Sequence, residues 1–377
     1  MIPLSLYIHV PWCVRKCPYC DFNSHERGDI PEQAYLAALI EDISADLHQV
    51  AGRRIETVFI GGGTPSLMSG DFYQKLFSEI RQRIDIAADA EITLEANPGT
   101  LEQGRFEAYR AAGINRLSIG VQSFNPTHLQ ALGRIHGKDE AILAAEAARR
   151  AGFDNFNLDL MHGLPGQGRE QALADLEQAI ALGPTHLSWY ELTIEPNTAF
   201  YSNPPQQPDS DEMADTEEAG FALLARHGFE RYEISAFAQP GRRCRHNLNY
   251  WQFGDYLGIG AGAHGKLTDA EGRILRYQKT RLPEHYLAGG DRTRQQRALQ
   301  PDELPMEYFL NTLRLIEGAP ASLFEARTGL PLDTLSATLA SLRSKQLLTP
   351  DIFSISCSAL GIRHLNRVLE AFLKGNY

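Results

Sequence analysis

Three cysteines, Cys13, Cys17 and Cys20, share one short stretch, Cys13-Val14-Arg15-Lys16-Cys17-Pro18-Tyr19-Cys20. A loop with this spacing turns all three sulfurs towards one centre. Thiolates are soft ligands that favour zinc, copper(I) or iron–sulfur clusters, and a set of three leaves a fourth position open. Three readings differ in what fills it. Packed thiols have no reason to cluster so tightly in a loop. A closed zinc site needs a fourth ligand, for which His25 and His9 are the near candidates. A cubane iron–sulfur cluster leaves one iron open to a substrate.

Other residues with chemical potential lie further along. Gly61-Gly62-Gly63-Thr64-Pro65 brings backbone close to a small ligand because glycine has no Cβ, although a tight turn needs the same residues. Glu95 ends the run Ile92-Thr93-Leu94-Glu95, where a carboxylate either pairs with a bound ammonium or stands exposed. Asp159 sits in the nearly apolar run Asn157-Leu158-Asp159-Leu160-Met161, so it needs a partner, a ribose diol being one. Gln122 and Arg134 carry no case alone. Two more stretches stand out: Cys244-Arg245-His246-Asn247-Leu248-Asn249-Tyr250-Trp251, and the glycine-rich Gly258-Ile259-Gly260-Ala261-Gly262-Ala263-His264-Gly265.

The elements that must position these residues follow from periodicity. Leu4 to Val10 is β-rich and predicts a first strand, with the cysteine loop straight after it. Pro31 opens a helix to about residue 50. Residues 57–60, 90–95, 116–122, 155–160 and 186–192 read as strands, and 71–83, 103–112, 125–132, 139–151 and 170–182 as helices. Six strands alternating with helices imply an α/β fold with right-handed parallel crossovers. No dinucleotide fingerprint follows the first strand, so a partial (β/α)6 TIM-like barrel fits better than an open doubly wound sheet. Barrels place chemistry at strand C-termini, where the cysteine loop, the glycine loop, Glu95, Gln122 and Asp159 all fall.

A polar excursion at 196–211, a helix over 211–226 and a strand over 232–235 close an expected first domain of residues 1–237. Residues 238–300 have weak periodicity and read as a connecting region. Residues 301–377 read as a small C-terminal helical, winged-helix-like domain, with helices over 306–317, 323–328 and 332–345, a β-like 353–356 and a last helix to Leu373. Its leucine stripes are core.

Composition bounds the function. The 377 residues are 43% hydrophobic and 22% charged, ordinary for a soluble globular protein, and no apolar run approaches the roughly 20 residues of a membrane span. Met1-Ile2-Pro3 lacks the basic region of a signal peptide, and five cysteines, two of them isolated at Cys244 and Cys357, do not form a secreted disulfide framework. A cytoplasmic protein is expected. A net charge of −11 speaks against general nucleic-acid binding. Residues 242–297 nevertheless carry eleven Lys or Arg against five Asp or Glu, either a solvated face or a patch for an anion.

Together the Cys-x3-Cys-x2-Cys loop, Gly-Gly-Gly-Thr-Pro and six βα units resemble the radical S-adenosylmethionine superfamily. Tyr7-Ile8-His9-Val10-Pro11-Trp12-Cys13, Leu94-Glu95-Ala96-Asn97-Pro98, Gly120-Val121-Gln122-Ser123-Phe124 and the run from Asp159 to Gly166 resemble the oxygen-independent coproporphyrinogen oxidases and the HemW-type heme chaperones. The resemblance implies a [4Fe-4S] cluster on Cys13, Cys17 and Cys20. It implies S-adenosylmethionine at the open iron, contacted by Gly62, Gly63 and Thr64 and framed by Tyr7, Glu95, Gln122, Arg134 and Asp159. The oxidase motif continues to a fourth cysteine where this sequence has Phe22, and the oxidases carry a long extension where this sequence begins six residues before Tyr7. The chaperones instead carry His-Asn-x-x-Tyr-Trp, matched by His246, Asn247, Tyr250 and Trp251. Imidazole is a common heme ligand, aromatic rings stack on porphyrins, and Arg242, Arg243 and Arg245 suit propionates. His264 and Cys244 are lesser candidates. The implied function is delivery of heme to apo-hemoproteins such as respiratory enzymes, with radical decarboxylation of coproporphyrinogen III as the alternative. Peripheral membrane association and a homodimer stay open.

Overall fold

Alternate residues of the first strand face opposite ways, and the two sets differ in chemistry. In β1 (Leu4–Val10), Leu4, Leu6, Ile8 and Val10 share one apolar core with Tyr35, Leu39 and Ile43 of helix α1 (Glu32–Asp46). Ser5, Tyr7 and His9 occupy the other face. The same division runs through β2 (Ile55–Gly62), β3 (Ile86–Ala96), β4 (Arg116–Gln122), β5 (Phe156–His162) and β6 (His186–Glu191). Val58, Ile60, Ile92, Leu94, Leu117, Ile119, Leu158, Leu160 and Leu187 join the core. Thr57, Phe59, Thr93, Glu95, Ser118, Asn157, Asp159 and Ser188 alternate with them and line the opposite, inner face. The computed structural model describes residues 2–50, 52–99 and 104–373.

These six strands are parallel neighbours in sequence order, and five of the helices between and after them are α2 (Gly70–Arg81), α3 (Phe106–Ala111), α4 (Lys138–Arg150), α5 (Arg169–Ala181) and α6 (Ser210–Arg226). The helix expected from residue 103 begins at Phe106, and residue 103 lies outside the described residues. Tyr232–Ser235, expected as a strand, is instead the turn between β7 (Glu230–Arg231) and β8 (Ala236–Ala238). Glu233 Oε1 accepts from the Ser235 N–H at 3.0 Å and from its hydroxyl at 3.1 Å, local bonds that compete with ladder formation.

Residues 238–300 do more than connect. They include α7 (Arg245–Trp251), a short helix Pro283–Leu287 and four strands, β9 (Asp255–Ile259), β10 (His264–Thr268), β11 (Ile274–Lys279) and β12 (Thr293–Ala298). β9 pairs parallel with β1 on the side away from β2, with Leu4 opposite Asp255 and Tyr7 opposite Gly258. The full order is β12-β11-β10-β9-β1-β2-β3-β4-β5-β6-β8-β7, a mostly parallel sheet whose edge strands do not meet, as expected of a partial barrel. These added strands escape periodicity for a physical reason: β9 is interrupted by Gly258, and β12 is a largely exposed polar run, Thr-Arg-Gln-Gln-Arg-Ala.

The C-terminal segment has its own core. Phe309, Phe324 and Leu339, from three helices, and Phe372, just past the last one, pack with Phe253 and with Ile274 of β11. The helices are Leu304–Thr312, Ala321–Thr328, Ser336–Ser344, Ala359–Arg363 and Leu365–Glu370, with a small antiparallel pair of Ala319–Pro320 and Ser354–Ile355. Among the described residues no helix is long and apolar enough to cross a membrane.

Candidate functional site

The cysteine loop leaves β1 through a two-residue strand, Trp12–Cys13, paired with His25–Glu26. Each sulfur has a polar neighbour. Thr64 Oγ1 donates to Cys13 Sγ at 3.4 Å, Arg134 Nη1 donates to Cys17 Sγ at 3.6 Å, and Ser24 Oγ lies 3.9 Å from Cys20 Sγ. All three thiols are free. Burial pushes the Cys13 and Cys20 thiols up, and the neighbouring sulfurs push them further. Among the described residues no three His, Cys, Asp or Glu side chains converge on a single ion position. His9, a candidate fourth ligand, has both ring nitrogens engaged, with Tyr7 Oη at 3.0 Å and the Asn23 carbonyl at 2.8 Å. His25 Nε2 lies 3.4 Å from Asn23 Oδ1. A cubane presents separate irons to separate sulfurs, and soft, mutually repelling thiols with hydrogen-bond donors beside them fit such a cationic centre.

The glycine loop closes over this strand because it carries no side chains. Gly62 adopts φ +114°, and a Cβ there would stand 2.6 Å from the His9 ring; one on Gly63 would stand 2.5 Å from the Trp12 carbonyl oxygen. The Thr64 N–H donates to that carbonyl at 2.7 Å, which brings the Thr64 hydroxyl to Cys13. The Gly62 N–H donates to Glu95 Oε2 at 3.1 Å. Burial and the nearby Asp159 carboxylate push the Glu95 carboxyl up to about 8, against the pull of that N–H.

The other strand ends complete a polar cup. Asp159 Oδ2 accepts from Ser118 Oγ at 2.9 Å and Oδ1 from Asn157 Nδ2 at 2.8 Å. Burial raises the Asp159 carboxyl above the usual range, while those bonds and Arg116 oppose the rise. Gln122, the last residue of β4, has φ +70°, a left-handed conformation that non-glycine residues adopt mainly where the surroundings impose it. Its Oε1 accepts from Tyr190 Oη at 3.0 Å. Arg134 Nη2 donates to Asn97 Oδ1 at 2.9 Å and to the Gly120 carbonyl at 2.6 Å, so one guanidinium ties the cysteine loop to two strand ends. Tyr7 projects from β1 with its ring stacked 6.5 Å from Phe59. Cys13, Cys17, Cys20, Gly62, Gly63, Thr64, Glu95, Gln122, Arg134, Asp159 and Tyr7 thus gather at one end of the parallel strands. Sequence reading passed over Tyr190 and Asn97. Asn97 Nδ2 donates to Thr64 Oγ1 at 3.2 Å, and its place just beyond a strand end before Pro98 was the available signal.

His246, Asn247, Tyr250 and Trp251 lie on α7, which enters the inner face nearer the strands' beginnings. His246 is fully buried, with Nδ1 2.9 Å from Thr57 Oγ1 and Nε2 2.8 Å from Tyr250 Oη. Burial, with Arg116 nearby, lowers it to about 3, so the ring is neutral. Its centroid is 5.2 Å from that of Phe59, so Phe59 separates the motif from Tyr7 and the cup above. Asn247 is half-buried, and Trp251 lies under the Arg314 guanidinium at 4.3 Å. Arg243 is held by Glu317 at 2.8 Å and Arg245 by Asp89 at 3.6 Å, ordinary surface ion pairs. Cys244 is buried beside Glu91, and His264 is exposed.

The profile of the radical SAM superfamily matches residues 7–179, and that of the HemN C-terminal domain matches residues 299–364. The chain is 53% identical over 372 residues to heme chaperone HemW of Escherichia coli, covering 98% of each chain, and 49% identical to heme chaperone HemW of Haemophilus influenzae, again covering 98% of each. It is 34% identical to the mitochondrial radical S-adenosyl methionine domain-containing protein 1 of Bos taurus, covering 98% of this chain and 87% of that one. Among solved structures it is similar to Escherichia coli coproporphyrinogen III oxidase HemN, a radical SAM enzyme, with a TM-score of 0.82, 26% identity, and coverage of 99% and 91%. The chain belongs to the HemW heme chaperone family of the radical SAM superfamily.

Proposed function

We propose that this chain is a cytoplasmic heme chaperone that binds heme and passes it to apo-hemoproteins such as respiratory enzymes. The observation that carries the reading is the full-length 53% identity to the Escherichia coli heme chaperone HemW. Phe22 supports it, since it stands 59% exposed where the oxidases have a fourth cysteine. In this reading Cys13, Cys17 and Cys20 hold a [4Fe-4S] cluster, and the cup of Tyr7, Gly62, Gly63, Thr64, Glu95, Gln122, Arg134 and Asp159 holds S-adenosylmethionine. When bound, these groups supply radical chemistry by reductive cleavage of the sulfonium. The chain's own contribution is to seat the cluster on three thiols, offer Glu95 and Asp159 to a cation and a ribose, and shield the site. His246 is the axial candidate for heme iron, and it offers a free nitrogen once its bond to Thr57 or Tyr250 opens.

Anaerobic reconstitution followed by heme titration and a porphyrinogen assay on one sample tests the proposal. Stoichiometric heme binding without conversion of coproporphyrinogen III to protoporphyrinogen IX is expected, with most binding lost in His246→Ala. Turnover without heme binding would favour the oxidase, the reading that the likeness to HemN supports. Unchanged heme binding in His246→Ala removes that residue from the heme site.

Glu95 adds a pH signature. A cationic ligand stabilises the ionised carboxylate, so it binds more weakly while Glu95 is protonated. Affinity for S-adenosylmethionine is expected to rise between about pH 6 and pH 8 and then level off, by up to about tenfold per pH unit. Glu95→Gln should bind more weakly and show a flat profile across that window; a wild-type slope in the variant would exclude Glu95 as its source.

A further inference from the structure

Beneath the cup a chain of hydrogen bonds leads up to Asp159 through Tyr232, His186 and Asn157, residues that belong to neither cofactor motif. Asn157 stands between Ser118 of β4 and His186 of β6 by strand register, and all three are buried on the inner face. Its Nδ2 serves Asp159 Oδ1 and Ser118 Oγ, each at 2.8 Å, and Oδ1 lies 2.7 Å from His186 Nδ1. His186 Nε2 is 2.8 Å from Tyr232 Oη, and that oxygen is reached by the backbone N–H of Cys244, the N-cap of α7, at 3.4 Å.

The direction of these bonds is determined by chemistry. A carboxylate only accepts, so the amide end facing Asp159 is the NH2, which turns Oδ1 to His186. His186 must therefore carry its proton on Nδ1. Burial and the Arg116 charge keep the ring neutral, so Nε2 is bare and accepts from Tyr232. Donors run one way, from the Cys244 N–H through Tyr232, His186 and Asn157 to Asp159. With the amide so anchored, neither it nor the carboxylate is free to rotate, and Asp159 keeps its remaining lone pairs turned to the cup.

We propose that Tyr232 and His186 are positioning residues that orient Asp159 for the ribose hydroxyls of S-adenosylmethionine, anchored on the α7 helix. This rests on the reading of Asp159 as a ribose ligand given above. The test is titration of the reconstituted full-length protein with S-adenosylmethionine. Asp159→Asn is expected to weaken binding roughly thirtyfold, His186→Leu roughly tenfold and Tyr232→Phe roughly threefold. His186→Gln, whose amide both donates and accepts, restores most of the loss. In the Asp159→Asn background, His186→Leu and Tyr232→Phe add no further loss, whereas general destabilisation would add. Equal affinity of Asp159→Asn and wild type would overturn the ribose reading itself. A loss in Asp159→Asn with wild-type affinity in folded Tyr232→Phe and His186→Leu, or additive losses, would overturn the positioning role alone.

Discussion

Serine at Cys13, Cys17 and Cys20 together is expected to abolish the iron–sulfur absorption of the reconstituted protein and bring its iron and sulfide to background. The physical cause is ligand chemistry: a serine hydroxyl does not ionise at neutral pH and is a hard donor, where iron–sulfur clusters require thiolates. Affinity for S-adenosylmethionine falls with the cluster, by roughly tenfold or more, because the open iron is lost as a ligand. The fold should survive, since the loop lies outside the main sheet and Cys17 and Cys20 are only half-buried. Far-UV circular dichroism and the unfolding midpoint check that point. Wild-type iron content in the triple variant would refute the assignment, and a single-serine series would then locate the true ligands.

Lys279→Met is expected to give the largest loss of stability from one substitution far from the site. Lys279, on β11, places Nζ 2.7 Å from Asp42 Oδ1 and 2.6 Å from Asp46 Oδ2, both on α1, and all three side chains are almost wholly buried. Asp42 also accepts from Tyr286 Oη at 2.6 Å and the Gly260 N–H at 3.1 Å. Removing the cation leaves two carboxylates facing each other in a low-dielectric setting, a cost of about 3–5 kcal/mol. Burial already holds the Asp46 carboxyl above its ordinary range despite Lys279, and the variant raises it further. A carboxyl whose folded value lies above its unfolded value loses stability as pH rises, so the deficit should shrink as pH falls towards about 5. Urea unfolding at two pH values measures both. A loss below about 1 kcal/mol at pH 7 would mean that the pair contributes little.

The pair also shows why the 238–300 region escaped sequence reading. Lys279 and Asp255 read as scattered surface charges in a stretch with no apolar alternation. In the fold Asp255 accepts from Lys266 at 2.9 Å and from Arg53 at 2.8 Å, all largely buried. Strands held by buried ion pairs lack the period-two hydrophobic signal on which strand recognition depends. The inner face poses a similar difficulty. Ser118, Asn157 and His186 are polar residues within strands, and their purpose is visible only once register sets them side by side.

The sequence by itself determined the cysteine loop, the glycine loop, the six alternating βα units and the end of the strands at which the chemistry would gather. Those signals are local: ligand type and spacing, the absence of a Cβ, and the alternation of apolar residues. Only the tertiary structure decided which residues serve those motifs. Arg134 joins Cys17 to Asn97 and Gly120, Tyr190 reaches Gln122, and His246 lies with both ring nitrogens engaged beneath Tyr7 and Phe59. Such partners stand from four to almost two hundred residues apart, and side-chain direction at each strand position, rather than proximity along the chain, brings them together.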